Sequence, residues 1–168
     1  ANIGQFNVES VPELELISDI ASKLGSVAPV ALRVNPDVDA ETHEKISTGR
    51  KTDKFGIDIK HTPELYARAT RMSGLKTVGL AIHIGSQLTS LKPFKFAFDR
   101  LSNLVQVLRA DGLSVTHLDL GGGLGVNYKD EIPPNPVSYA EVIDKTIGGL
   151  DVEITVEPGR FLVANAGI

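Results

Sequence analysis

The stretch TVGLAIHIG at residues 77–85 is an aliphatic run whose last residues include His83 and Gly85. A nearly continuous apolar run of this length is typical of a parallel strand that is covered on both faces. Similar runs predict four further strands, at residues 5–10, 29–35, 116–123 and 152–160. Amphipathic segments between them predict four helices, at residues 11–25, 62–74, 94–112 and 138–149.

Capping residues support this alternation of strands and helices. Thr62 is a predicted N-cap that places Pro63 at the first helical position, and Gly25 and Gly112 are predicted helix ends. Strand–helix alternation predicts right-handed βαβ units and an α/β fold. Such units build either an open doubly wound sheet or a section of a (β/α)8 TIM-type barrel.

Polar or glycine residues follow almost every predicted strand. Barrel enzymes place their sites at these strand ends, although open sheets also bind ligands there. We therefore predict a barrel section of about five βα units.

Composition limits the classes of partner. The net charge of −4 and the pI near 5.5 argue against nucleic acid and anionic membrane surfaces, since phosphate groups require a basic face. No apolar run approaches the roughly 20 residues that span a bilayer. The chain has no cysteine, and His43, His61 and His117 show no metal-ligand spacing, so we predict no metal site. A cytoplasmic location is the default expectation.

Two glycine turns follow the last two predicted strands. Gly121, Gly122 and Gly123 form the first turn, which either packs tightly against the next element or lets backbone N–H groups approach a phosphate. The second is the stretch EPGR, residues 157–160. Loops in these positions commonly build a phosphate site in barrels, so we predict a phosphate-bearing cofactor.

Four polar residues at strand ends each have a structural and a functional interpretation. Glu157 is either paired with Arg160 or faces a basic ring nitrogen, whose protonated form a nearby anion favours. A single histidine such as His83 is more often structural than catalytic. Ser86 either donates to a phosphate or caps the next segment. Arg33 lies inside an apolar strand, where its charge must be paired or must face a ligand.

Four stretches carry a resemblance to a known family. They are ALRVNPDVDAETHEKISTGRKTDKFGI (31–57), HIGSQ (83–87), LDLGGGLGVNY (118–128) and EPGRFLVANAG (157–167). In this order they resemble the diaminopimelate decarboxylase branch of the fold-type III, alanine racemase-like pyridoxal phosphate-dependent decarboxylases. The GGG and EPGR stretches are shared with ornithine and arginine decarboxylases, whereas THEKISTG together with HIGSQ favours the diaminopimelate branch.

The resemblance implies pyridoxal 5'-phosphate as the cofactor and assigns roles to single residues. His83 would stack on the pyridine ring, Glu157 would bind the ring nitrogen and keep it protonated, and these two are the predicted catalytic residues. Arg160 would lie at the phosphate and also reach a substrate carboxylate. The predicted cofactor-binding residues are His83, Ser86, Gly121, Gly122, Gly123, Glu157, Pro158, Gly159, Arg160 and, as a supporting residue, Arg33.

The implied reaction is decarboxylation of meso-2,6-diaminopimelate to L-lysine and CO2, the last step of lysine biosynthesis. The alternatives are an ornithine or arginine decarboxylase, a non-catalytic relative that binds pyridoxal phosphate, and a phosphate-binding barrel of unrelated chemistry.

The resemblance also implies that residues 1–168 form a partial pyridoxal phosphate-binding barrel domain that matches strands four to eight. The Schiff-base lysine would lie upstream and a proton-donating cysteine in a C-terminal β-domain, so Ala1 and Ile168 are predicted cut points. A homodimer with a shared active site is expected. We expect the 168 residues alone to be catalytically inactive and to fold poorly, because both edge strands would be exposed.

Overall fold

The computed structural model describes residues 3–38 and 55–166. Its six strands are β1 (Phe6–Val8), β2 (Ala28–Asn35), β3 (Ile57–Asp58), β4 (Leu75–Ala81), β5 (His117–Asp119) and β6 (Glu153–Thr155). The helices are α1 (Val11–Lys23), α2 (Thr62–Ala69), α3 (Lys92–Ala110), α4 (Pro136–Ile147) and α5 (Gly159–Val163), with 3₁₀ turns at Gly148–Leu150 and Ala164–Ala166.

All strand pairs in the sheet are parallel, and the strand order separates the two candidate architectures. The path runs β1-β2-β4-β5-β6, while β3 pairs with the C-terminal end of β2. A doubly wound sheet reverses its strand order at a switch point. Here spatial order follows chain order throughout the path, as it does around a barrel.

A hydrogen bond across the sheet shows that it is strongly curved. The Asn7 side chain on β1 donates from Nδ2 to Oδ2 of Asp119 on β5, at 2.7 Å. These strands are three steps apart along the path, which in a flat sheet is about 14 Å. Two short side chains cannot span that distance, so the sheet curves and its concave face brings the strands together. The predicted (β/α)8 barrel section is therefore confirmed.

The helices pack against the sheet through apolar side chains. On α3, Phe94 and Phe98 are fully buried, and the Phe94 ring meets the Tyr139 ring of α4 edge-on, with centroids 5.0 Å apart. Such edge-to-face pairs add to the free energy gained by burial.

Within the described residues, no helix combines the length and apolar character needed to cross a membrane.

Element boundaries required several corrections. The strand predicted over residues 152–160 ends at Thr155, and Gly159 instead begins α5. The strand predicted over 116–123 ends at Asp119, where the glycine triplet turns the chain, and the short strand β3 was not predicted.

Helix ends agree more closely with the prediction. Gly25 and Gly112 have φ of +62° and +76° just beyond α1 and α3, as helix-ending glycines do. Thr62 as N-cap was wrong, because His61 occupies the cap. The Thr62 hydroxyl lies inside the first turn and donates to the Asp58 carbonyl at 3.1 Å.

Candidate active site

Five ionisable side chains converge where the carboxyl ends of the parallel strands meet. Glu9 follows β1, Arg33 lies in β2, His83 follows β4, Asp119 ends β5, and Glu157 follows β6. Charges on Arg33, Asp119 and Glu9 all act on His83, and those on Asp119 and Arg33 act on Glu157. We refer to these five residues as the ionisable cluster.

Arg33 and Glu9 form an ion pair at one side of the cluster. Arg33 Nη1 lies 2.6 Å from Glu9 Oε1, and only 19% of the Arg33 side chain is exposed. The guanidinium also lies 5.6 Å from the centroid of the Phe55 ring. A guanidinium this deeply placed requires a partner. Of the two interpretations of Arg33, the structure therefore shows the paired one.

His83 is half-buried and held by the backbone of the glycine triplet. Its Nδ1 accepts a hydrogen bond from the Gly122 N–H at 3.2 Å. Burial, followed by the nearby Arg33 charge, lowers the pKa of His83 below its usual value. A ring nitrogen that accepts a hydrogen bond carries no proton, so the neutral imidazole holds its proton on Nε2.

We expect His83 to stay neutral at pH values where a histidine in a free peptide is already protonated. Because its pKa is lowered in the folded protein, the unfolded chain binds the proton first. Stability therefore rises with pH through this window and falls on acidification. Imidazole NMR of the cofactor-free whole native protein checks this against a peptide of sequence HIGSQ. A His83 midpoint at or above that of the peptide contradicts the prediction.

The glycine triplet packs against the loops that follow β4 and β6. An added Cβ would lie 2.2 Å from the Ile82 carbonyl oxygen at Gly121, and 2.2 Å from the Glu157 carbonyl oxygen at Gly122. At Gly123, where φ is +102°, it would lie 2.3 Å from the Gly85 carbonyl oxygen. The structure thus shows this turn closely packed, although against these two loops and not against the next element, and phosphate contact remains a prediction.

Asp119 and Glu157 bring two carboxyl groups together. Asp119 is 3% exposed and accepts hydrogen bonds from the Gly121 N–H at 2.9 Å and from Asn7. Glu157 as a whole residue is exposed. Its pKa is nevertheless raised, first by loss of hydration around the carboxyl and then by the charge and the hydrogen bond of Asp119. This carboxyl therefore retains its proton to higher pH than an ordinary glutamate.

Arg160 and Ser86 form the second centre of the site. Arg160 Nη2 and Nε donate to the Ser86 hydroxyl at 3.0 and 3.3 Å, and Nη1 donates to the Tyr128 hydroxyl at 2.5 Å. The Tyr128 ring centroid lies 5.7 Å from the guanidinium carbon. Since Arg160 donates to these two hydroxyls, the structure does not show the first of the two interpretations of Glu157, pairing with Arg160.

The structure brings most of the predicted site residues together through direct hydrogen bonds or close backbone contacts. Those with such contacts are His83, Ser86, Gly121, Gly122, Gly123, Glu157 and Arg160. Pro158 and Gly159 lead into α5, and no atom lies within 4 Å of the Cβ position at Gly159. The cofactor roles of all these residues remain predictions. Residues 42–49, the THEKISTG stretch, lie outside the described residues.

The sequence analysis missed Asn7, Asp119 and Tyr128 as site residues, and it counted Glu9 only among the polar residues that follow predicted strands. Asp119 had a usable signal, because it places a charge inside an apolar strand, the same criterion that singled out Arg33. Tyr128 contacts Arg160 across 32 positions of the chain, and no local pattern predicts that contact.

Known proteins of similar sequence include diaminopimelate decarboxylases. The chain is 52% identical over 164 residues to a diaminopimelate decarboxylase of Haemophilus influenzae and 53% identical over 163 residues to one of Pseudomonas aeruginosa, with 97% of this chain covered in each case. The chain spans about 40% of the length of these curated relatives.

A solved structure of a diaminopimelate decarboxylase has the same fold as this chain. The diaminopimelate decarboxylase of Helicobacter pylori, complexed with L-lysine, superposes with a TM-score of 0.91 at 41% identity, covering 95% of this chain and 40% of that one. The family model for the pyridoxal binding domain of pyridoxal-dependent decarboxylases matches residues 1–164. The chain therefore belongs to the family of pyridoxal binding domains of pyridoxal-dependent decarboxylases.

Proposed function

We propose that the whole protein is a pyridoxal phosphate-dependent decarboxylase that converts meso-2,6-diaminopimelate to L-lysine and CO2. The observation that carries the proposal is the convergence of His83, Glu157 and the Ser86–Arg160 pair at one edge of the curved sheet. The relatives named diaminopimelate decarboxylases, at about half identity over 97% of the chain, support this substrate.

The residues present suit the chemical groups of pyridoxal phosphate. A phosphate needs hydrogen-bond donors and positive charge, which the Ser86 hydroxyl and the Arg160 guanidinium supply together. A flat ring with a basic nitrogen needs a planar neighbour and a carboxyl, and His83 and Glu157 are of these types. The donor set therefore fits the cofactor of the family.

Bound pyridoxal phosphate would supply an electron sink for the electron pair that remains when CO2 departs. The chain's own residues would bind and orient the reactants around it. Glu157 would hold a proton at the ring nitrogen, where a nearby anion stabilises positive charge. Neutral His83 would cover one face of the ring and keep water from it. Arg160 would bind anionic groups, namely the phosphate and a carboxylate of the substrate.

We further propose that these residues act as part of a larger assembly. Residues 1–168 would form the section of a barrel domain from strand four to strand eight. The lysine that binds the cofactor covalently and the group that protonates the product would come from other parts of the whole protein. By the family resemblance the protein would act as a homodimer with a shared site. Since lysine biosynthesis draws on metabolites of the cytoplasm, we place it there.

We expect the whole native protein, supplied with pyridoxal phosphate, to release L-lysine and CO2 from meso-diaminopimelate. Ornithine and arginine, assayed in parallel, are expected to give no product. Amino-acid analysis of the reaction mixtures and CO2 detection measure both outcomes. Turnover of ornithine or arginine alone would assign the protein to the sister branch, and no turnover of any of the three would favour a non-catalytic relative.

A further inference from the structure

The loops that follow β4 and β5 are joined by the side chain of Gln87. We propose that Gln87 is a positioning residue for the phosphate donors, because it fixes the spacing of the two hydroxyl groups to which Arg160 donates. These hydroxyls belong to Ser86 and Tyr128. The inference rests on the proposed function and deepens it by naming the residue that orders the phosphate end of the site. Gln87 would act without touching cofactor or substrate.

The Gln87 amide forms two hydrogen bonds with the backbone of Val126, which we call the amide clamp. Nε2 donates to the Val126 carbonyl oxygen at 2.6 Å, and Oε1 accepts from the Val126 N–H at 3.1 Å. A primary amide offers a donor and an acceptor side by side, as a peptide group does. The two residues are 39 positions apart, and Val126 is buried. Loss of the amide would leave a buried donor and a buried acceptor without this partner, which is costly.

The backbone beside the amide clamp joins the same two loops. The Leu88 N–H donates to the Gly123 carbonyl at 2.9 Å, and the Leu88 carbonyl accepts from the Gly125 N–H at 3.0 Å. Leu88 and Leu124 thereby form an isolated parallel bridge, and both side chains are buried. The amide clamp adds two side-chain hydrogen bonds to this short pairing and so extends the connection as far as Val126.

The backbone conformation of Gln87 is a second, independent observation. Its φ is +57°, in the left-handed region that residues other than glycine rarely adopt. Glycine would adopt this conformation at lower cost. Unfavourable conformations of this kind persist where the surrounding contacts hold them, and they are concentrated at functional sites. At Gln87 the amide clamp and the bridge at Leu88 are those contacts.

The amide clamp acts on Arg160 through both of its hydroxyl partners. Ser86 directly precedes Gln87, and Tyr128 comes shortly after Val126. Arg160 Nη2 lies 3.0 Å from the Ser86 hydroxyl, and Nη1 lies 2.5 Å from the Tyr128 hydroxyl. One guanidinium reaches both hydroxyls only while the two loops keep their spacing. Without the clamp, the groups that would bind a phosphate together would separate.

The charge of Arg160 is suited to an anion. In the described part of the chain, Arg160 donates to hydroxyl groups and not to a carboxylate. A guanidinium beside hydroxyl donors supplies the charge-assisted hydrogen bonds that a phosphate accepts. The amide clamp would therefore affect binding of the phosphate group, whereas binding of the ring would depend on other residues.

The test compares pyridoxal 5'-phosphate with pyridoxal, which lacks the phosphate, as ligands of the whole native protein. Absorbance titration gives both dissociation constants, and their ratio reports the contribution of the phosphate. Gln87→Met removes both hydrogen bonds of the amide clamp and keeps an uncharged, unbranched side chain of similar length. By analogy with groups that orient metal ligands, we expect the preference for the phosphate form to fall about 10–100-fold. The affinity for pyridoxal should change little, because pyridoxal has no phosphate to position.

Gln106→Met is the matched control, because Gln106 is an exposed glutamine on α3. It should leave both affinities unchanged. An unchanged preference for the phosphate form in Gln87→Met would overturn the proposal. An equal loss of affinity for both ligands would also overturn it, since that result indicates general damage to the fold.

The unmodified protein provides a second measurement that does not depend on the variant folding. If the amide clamp favours phosphate binding, phosphate binding must favour the clamp to the same degree. Hydrogen exchange of the Val126 N–H, followed by NMR, should therefore be slowed more by saturating pyridoxal 5'-phosphate than by saturating pyridoxal. An equal effect of the two ligands would refute the role of Gln87.

Failure of this inference is distinguishable from failure of the proposed function. Lysine formation together with an unchanged phosphate preference in Gln87→Met would refute the role of Gln87 alone. A preference that depends on Gln87, without lysine formation, would support the role of Gln87 and refute the proposed reaction. A native protein that binds pyridoxal as tightly as its phosphate would refute both.

Discussion

Replacement of Glu157 by glutamine is expected to lower kcat for lysine formation roughly 100–1,000-fold in the whole native protein, the usual loss when one preorganised electrostatic group is removed. The amide has nearly the same shape and can still form a hydrogen bond. It cannot supply a proton or a negative charge to a ring nitrogen. The change therefore removes a charge interaction without creating a cavity, and we expect thermal stability to stay close to that of the native protein.

Glu153→Gln is the matched control for this variant. Glu153 lies at the other end of the same segment, where its Oε2 is 3.0 Å from His117 Nε2, and its side chain is mostly exposed. The control should retain nearly full activity, and Glu157→Asp, which keeps a shorter carboxylate, should fall between the two. Steady-state assays on meso-diaminopimelate measure all three. If Glu157→Gln stays within about threefold of the native kcat, less than the effect of a typical charge interaction, Glu157 does not have the proposed role.

Replacement of Gly79 by alanine is expected to produce the largest loss of stability. Gly79 lies in β4 opposite His117 of β5, and an added Cβ would be 1.8 Å from the His117 carbonyl oxygen and 2.7 Å from its carbonyl carbon. These are backbone atoms at the centre of the sheet, so no side chain can move aside. We expect a destabilisation of about 3 kcal/mol or more, the upper end of overpacking effects.

Gly149→Ala is the control, since nothing lies within 4 Å of its Cβ position and its φ is not positive. It should change the free energy of unfolding by no more than about 0.5 kcal/mol, as surface substitutions usually do. Thermal and urea denaturation of the whole native protein compares both variants with the parent. Equal midpoints for Gly79→Ala and Gly149→Ala would show that β4 and β5 do not pair as described.

Strand and helix positions could largely be predicted because periodicity reflects burial directly. The aliphatic runs identified β2 and β4 within a few residues, and the glycines after α1 and α3 marked helix ends. Boundaries failed at β6, where the predicted strand runs to Arg160 but pairing stops at Thr155 and α5 begins at Gly159. The exposed side chains of β6 also show that an apolar run does not by itself report burial. The end of a strand depends on its neighbour.

The sequence predicted which residues belong to the site better than it predicted which of them contact each other. It singled out His83, Glu157 and Arg160, whose roles the family resemblance implied, but it left open whether Glu157 pairs with Arg160. In the structure Asp119 acts on Glu157, whereas Arg160 donates to Ser86 and Tyr128. Pairing depends on side-chain directions at the strand ends, and these follow from sheet curvature that no local pattern encodes.

By itself the sequence determined the βα alternation, the glycine turns and the presence of a histidine after one strand and of a carboxyl and an arginine after another. These features depend on local propensity and on the spacing of apolar residues. Only the tertiary structure decided which groups meet. The bond between Asn7 and Asp119 joins residues 112 positions apart, and it exists because the curved sheet brings β1 across to β5. The raised pKa of Glu157 also has tertiary causes, first the loss of hydration around its carboxyl and then Asp119 at the end of the neighbouring strand.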